Sequence, residues 1–252
     1  MSLLASELFA RLRHHSPVKN PHKIRNIKYG FLILLVCYLS NSGCRRHAAV
    51  LVGLVGEDNQ NALDISVILT ERTHHISHGG DVSFPGGVMD AIDDHNVLHT
   101  AYREAEEEIG LERRLVKPLG ELEQIPSKDY RLVHPIIARV DRSFVPKLNT
   151  NEVANLFMVP LRQFTINEGH THKDIVYRDV FPHRLHYFDL GGATVWGLTA
   201  TLILRMLEIG GIPTEFEVYN RESTEGQPPW MKHGLSWNER MKWGGNKDKN
   251  VP

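Results

Sequence analysis

The run Arg103-Glu104-Ala105-Glu106-Glu107-Glu108-Ile109-Gly110-Leu111 constrains this chain more than any other stretch, because it gathers four carboxylates at the end of one helical pattern. Leu98, Ala101, Tyr102, Ala105 and Ile109 recur at helical spacing, which predicts a helix over 97–109 with one apolar face. Asn96 suits its N-cap and Gly110 a left-handed C-terminal cap. Glu104, Glu107 and Glu108 stand at i, i+3 and i+4 and share a face, whereas Glu106 points elsewhere into solvent. Like charges so spaced cost roughly a few tenths of a kcal/mol per pair. Carboxylates in a last turn also oppose the helix dipole, by roughly 0.3–1 kcal/mol each. A bound Mg²⁺ or Mn²⁺ removes that cost, since hard cations seek carboxylate oxygens. A solvated acidic face does not, yet the spacing alone leaves both readings open. Arg103 can hold one of the carboxylates in place.

The surrounding pattern is α/β. Residues 48–55 are rich in β-formers, and Leu63, Ile65, Val67 and Leu69 alternate toward one face, with a linker at 57–61 short enough for a hairpin. After Gly79-Gly80 comes a short strand, Val82-Ser83-Phe84, which Pro85-Gly86-Gly87 should stop. Gly86 and Gly87 would let a backbone approach a ligand closely. Later strands are expected at 119–125, 133–140, 154–159 and 185–190. A second helix is expected over 193–208, with Val195, Leu198, Leu202 and Met206 toward the core. These elements predict an α/β sandwich, a mixed sheet flanked by two main helices. The expected organisation is an N-terminal extension over 1–44, a domain over 45–211 and a polar, mostly irregular tail over 212–252.

Composition narrows the function classes. The formal net charge is −1 over 252 residues, so no global field draws the chain to nucleic acid or membrane. An anionic ligand must be held by local basic groups or cations. Cys37 and Cys44 make no disulfide framework, which suggests a reducing compartment. The nine-residue apolar run over 31–39 falls far short of the roughly 20 residues a membrane span needs. Leu3, Leu4, Leu8, Phe9 and Leu12 beside Arg11 and Arg13 form a basic amphipathic pattern. It reads either as a mitochondrial import presequence or as a helix packed on the domain. Cytoplasmic and peroxisomal locations are the alternatives, although Asn250-Val251-Pro252 lacks the Ser-Lys-Leu address. His74, His75 and His78 in one loop, and His170 and His172 in another, raise zinc binding, but neither set has a recognised ligand spacing.

Taken together, Arg103, Glu104, Ala105, Glu107, Glu108, Gly110 and Leu111 resemble the second half of the Nudix box, Gly-x5-Glu-x7-Arg-Glu-U-x-Glu-Glu-x-Gly-U, where U is aliphatic. The first half departs from it: His95 stands where the first Glu belongs and Met89 where the Gly belongs, with Gly86 and Gly87 slightly upstream. Asp93 or Asp94 is a candidate to replace the missing carboxylate. Upstream, Leu69-Thr70-Glu71-Arg72-Thr73 and Gly80-Asp81-Val82-Ser83-Phe84-Pro85-Gly86-Gly87 are similar to the extra motif of coenzyme A diphosphatases. Asp90 with Asp93, Thr100 to Glu104, Asn151-Glu152-Val153 with Val159-Pro160-Leu161, and Trp196-Gly197-Leu198-Thr199-Ala200 extend the likeness over about 45–207.

This resemblance implies a Nudix-type α/β/α sandwich and Mg²⁺- or Mn²⁺-dependent hydrolysis of coenzyme A or acyl-coenzyme A to 3′,5′-ADP and (acyl-)4′-phosphopantetheine. It assigns Glu104, Glu107 and Glu108 as metal ligands, with Arg103 in the catalytic set and the general base left open among the carboxylates. Substrate contacts fall to Arg72, His78, Phe84, Gly86 and Gly87. The branch expects an Arg after Ile76, where Ser77 stands; Arg72 and His78 are the nearest basic replacements, and Arg72 alternatively reads as a solvated strand-end charge. The likeness is compatible with a homodimer. Two other functions fit the same residues: hydrolysis of another nucleoside diphosphate such as ADP-ribose, and a Nudix fold kept as a binding module.

Overall fold

The structure, a computed structural model, describes residues 3–16, 46–75, 79–90, 92, 94–127, 131–177 and 181–218. Ser77, His78, Asp93, both cysteines, the apolar run over 31–39 and the tail beyond 218 lie outside the described residues. The chain divides into two compact units, Met1–His172 with His186–Phe216 and Lys173–Leu185 with Glu217–Pro252. In the second unit, Arg184 forks onto Asp174 at 2.7 and 2.8 Å.

In the first unit, β1 (Arg46–Val55) runs parallel to β7 (Arg131–Val140) in unbroken register, from Arg46 opposite Arg131 to Val55 opposite Val140. A connection over 56–65, with a 3-10 turn at Ala62–Asp64, returns β1 antiparallel into β2 (Ser66–Arg72), with Leu54 opposite Val67. The expected one-sided alternation does not hold. Leu63 falls in a 3-10 turn, and Val67, Ile68, Leu69 and Thr70 are all buried. The physical reason is that this sheet is covered on both faces, so consecutive side chains bury in opposite directions. β8 (Val153–Pro160) pairs along β2, from Ser66 opposite Pro160 to Arg72 opposite Val153. β5 (Val116–Glu121) and β6 (Ile125–Pro126) add antiparallel to β7.

Beyond the hairpin, β1 and β2 acquire different neighbours. β3 (Val82–Ser83) lies against β2, with Thr70 opposite Ser83, and β4 (Gly86–Val88) lies against β1, with Ala49 opposite Gly87. Pro85 joins the two, its carbonyl accepting the Leu51 amide at 2.8 Å. The strand over 82–83 thus ends before Pro85, as expected, and Gly86 and Gly87 open the next strand rather than a loop.

α2 (Val97–Ile109) has the expected ends. The Asn96 side chain accepts the His99 amide at 2.9 Å, and Gly110 sits at φ +69°. Ala101, Tyr102, Ala105 and Ile109 share a core with Ala49, Leu51, Ile136 and Ala138. The second long helix, α3 (Gly197–Gly210), starts later than expected. Thr194, Val195 and Trp196 instead form β11 (Thr194–Trp196), paired with β10 (Phe181–Asp189) through Tyr187 opposite Trp196. Two β-branched residues and an indole favour a strand, and Gly197 at φ +61° breaks it before the helix. β9 (His170–Tyr177) completes this three-stranded sheet. The α/β sandwich with a mixed sheet and two main helices is what the structure has, with a third helix added.

That third helix is α1 (Ala5–His14). Of the two readings of the basic amphipathic pattern, the structure shows a helix packed on the domain. Ala5, Leu8, Phe9 and Leu12 are buried, and α1 lies against α3 and β5. Among the described residues, no helix is long and apolar enough to cross a membrane.

Candidate functional site

The site is assembled beside β4, where strand and helix ends meet. Glu104 and Glu108, one turn apart on α2, aim at consecutive glycines of that strand. The Gly86 amide donates to Glu108 Oε2 at 3.2 Å. A Cβ on Gly87 would overlap the Glu104 carboxylate. Gly87 thus makes room for a carboxylate, and Gly86, at φ +156° with its Cα against β1, could not carry a Cβ without meeting the Ala49 carbonyl and coming within 2.7 Å of Val50 Cα. Both glycines serve the acidic cluster from within the protein. Gly86→Ala is expected to lower stability by about 1–3 kcal/mol, since backbone cannot give way. Gly87→Ala should keep the fold, because only a side-chain end must move, yet weaken Mn²⁺ binding by roughly tenfold or more. Thermal melts with Mn²⁺ titrations would read both; equal behaviour of the two variants would contradict this account.

The structure gathers Glu104 and Glu108 but not Glu107. Glu108 is 5% exposed at its side chain and Glu104 14%, whereas Glu107 is 55% exposed and pairs with Arg103 Nη1 at 2.9 Å. Among the described residues, no three acidic, histidine or cysteine side chains converge as a ready-made metal cage. At 100° per residue, i and i+4 lie about 40° apart while i+3 falls about 60° to the other side, so the sheet covers the pair and leaves Glu107 at the rim.

Arg103 is the hub of the rim. It donates to Glu104 Oε1 at 2.9 Å, to the Val88 carbonyl at 3.2 Å and to Asp94 through two nitrogens at 3.0 and 2.9 Å. A further acidic residue, Glu152, in the loop before β8, repels both carboxylates and so helps raise the pKa of Glu104 and Glu108. Its place follows from the end of α2. The Glu108 and Ile109 carbonyls, orphaned at a helix terminus, accept the amides of Asn149 and Lys147, each at 2.9 Å. The Asn149 side chain then donates to Glu152 at 3.2 Å. No local pattern singles out Glu152; only this tertiary capping does. Arg72, at the end of β2, comes within 3.9 Å of Glu108 and is 29% exposed.

Burial raises the Glu104 carboxyl above its usual range, against the pull of Arg103. Burial pushes Glu108 up to about 8, with Glu104 and Glu152 adding repulsion and the Gly86 amide and Arg72 opposing it. The folded, metal-free protein therefore holds a proton on Glu108 that the unfolded chain releases near pH 4.5. Stability from this group is full below that pH and is lost as pH rises toward 8, by at most about 1.4 kcal/mol per pH unit. A saturating divalent cation should flatten or reverse that slope, which denaturant melts at several pH values would detect. Buried, mutually repelling hard oxygen donors fit Mg²⁺ or Mn²⁺ better than any softer metal.

Of the remaining expected contacts, Phe84 is buried at 3% exposure and so supports the β3–β4 link from inside. His78 lies outside the described residues. His170 and His172 sit on β9 rather than in a loop, with His170 2.9 Å from His186.

The NUDIX domain model matches residues 45–180. The chain is 34% identical over 164 residues to a Photorhabdus laumondii protein described as an uncharacterized Nudix hydrolase, NudL, covering 65% of this chain and 84% of that one. A Yersinia pestis protein of the same description is 33% identical over 168 residues, covering 66% and 81%. Among solved structures, a MutT/nudix family protein from Enterococcus faecalis aligns with a TM-score of 0.42 at 14% identity, over 82% of this chain and 74% of that one.

Proposed function

The chain belongs to the Nudix family of hydrolases, enzymes that act on phosphoanhydrides, and from that premise we propose that it hydrolyses the diphosphate of coenzyme A or an acyl-coenzyme A. The products are 3′,5′-ADP and 4′-phosphopantetheine or its acyl form. The observation that carries this reading is that Gly86 and Gly87, the end of the segment similar to the coenzyme A branch, contact the catalytic-helix carboxylates directly.

Glu104 and Glu108 would hold the divalent cation, with Glu152 near enough to share its field. Bound there, the cation neutralises charge developing on the diphosphate oxygens. Water attacks one phosphorus, a new P–O bond forms, and the bridging oxygen leaves with the other phosphate. Arg72, 3.9 Å from Glu108 and partly exposed, would meet a phosphate oxygen by charge-assisted hydrogen bonding. One carboxylate takes the proton of the attacking water.

Incubating the purified protein with Mg²⁺ or Mn²⁺ and coenzyme A, then separating the products, is expected to give 3′,5′-ADP. Faster release of AMP from ADP-ribose would transfer the reading to another nucleoside diphosphate. The exposure of Glu107 favours one further reading, a Nudix fold with weak catalysis that serves as a binding module; binding of coenzyme A without turnover on either metal would establish it.

A further inference from the structure

The box motif has a gap at position 95, where His95 replaces a carboxylate. His95 is exposed, with its ring 5.4 Å from that of His99. We infer that Asp94 fills the gap as a positioning residue, setting the Glu104 carboxylate through Arg103. The activity part of this inference rests on the diphosphatase reading; the geometry does not.

Asp94 is fully buried at its side chain. Its Oδ1 accepts Arg103 Nε at 3.0 Å and its Oδ2 accepts Nη2 at 2.9 Å, the forked geometry that fixes a guanidinium plane. The same Nη2 donates to Glu104 Oε1. One nitrogen therefore links the buried aspartate to the buried glutamate.

The loop explains why the carboxylate sits one residue early. The Asp94 amide donates to the Asp90 carbonyl at 3.1 Å, and the Asp90 amide donates back to Asp94 Oδ2 at 2.8 Å. This reciprocal closure turns Asp94 inward and leaves residue 95 at the surface. The longer loop after Gly87 is thereby taken up, and the carboxylate that the motif lost is recovered from the neighbouring position. Removing it would leave Arg103 to the exposed Glu107, and Glu104 would lose its fixed partner.

Asp94→Asn in the full chain is expected to weaken Mn²⁺ binding, followed by titration of the metal alone, by roughly tenfold to a hundredfold. It should lower kcat similarly while changing KM less than about threefold. Asp94→Glu should recover part of the loss, and His95→Ala should stay within about twofold of wild type. In an Arg103→Ala background, Asp94→Asn should cost almost nothing further, since both act along one chain of bonds. Unchanged Mn²⁺ affinity in folded Asp94→Asn would overturn the inference, as would a full additional loss in the Arg103→Ala background. If Asp94→Asn fails to fold, Asp94→Glu and Arg103→Ala carry the comparison on their own, and wild-type Mn²⁺ affinity in both would overturn it. If the wild type binds Mn²⁺ but cleaves no diphosphate, the functional reading fails while the titration still decides this one. If it binds no Mn²⁺, both fall.

Discussion

Glu108→Gln is expected to abolish Mg²⁺-dependent turnover and, in the same preparation, to raise the melting temperature of the metal-free protein near pH 8. The two effects come from one burial. Glu108 is held at 5% side-chain exposure against the Gly86 amide, with Glu104 and Glu152 repelling its negative form. The amide variant keeps an oxygen for the Gly86 N–H and sheds the charge, so the apo fold no longer bears the rising cost of ionisation between about pH 4.5 and 8. With the charge goes the attraction for the cation. Losing transition-state charge stabilisation worth about 3–5 kcal/mol corresponds to two to four orders of magnitude in rate. Opposite signs in stability and activity are the signature. A variant that melts lower than wild type at pH 8 without metal would show that the Glu108 carboxylate stabilises the fold, and the account of the site would fail.

The same residue shows what was readable in advance. The helix limits were, because Asn96 and Gly110 act through their own side chain and backbone and need no neighbours. The acidic pattern was readable as a cluster but not as a geometry. Which two of three glutamates turn inward depends on where the sheet lies, and that is set by β4 pairing with β1. A glycine pair suggests close approach of a ligand, yet the side chain that Gly87 admits comes from Glu104, seventeen positions later in the chain. Glu152 carries no local signal, because its position depends on loop amides capping α2. Periodicity does not separate β11 from the start of a helix, since Val195 fits an apolar helical face and a buried strand equally well.

The folding role of α1 yields the other large effect, and it bears on how the first residues are understood. Leu8→Ala is expected to destabilise the protein by about 2–5 kcal/mol, the range for emptying a buried leucine site, which at this chain length is a fall in Tm of roughly 5–15 °C. Leu8 and Leu12 are both 0% exposed. Leu8 packs against Gly210 of α3: a Cβ there would lie 2.5 Å from Leu8 Cδ1, so the helices meet with no space for a larger residue at that point. Arg11 strengthens the contact by donating to the Gly210 carbonyl at 2.6 Å, a cation at the negative end of α3. The β1–β2 connection is engaged as well, with the Ala5 amide on the Gln60 carbonyl at 2.8 Å and the Ala62 amide on the Leu3 carbonyl at 2.9 Å. On the far side, Arg139 stacks over the Phe9 ring at 5.2 Å. A segment so tied contributes to the domain's core, with Arg13 and His14 exposed while Arg11 turns onto the end of α3. Deleting 3–16 should therefore cost more than Leu8→Ala and expose apolar surface on α3 and β5, detectable as dye binding and loss of soluble protein. A deletion variant that melts with wild-type Tm would instead mean that α1 rests on the domain without stabilising it.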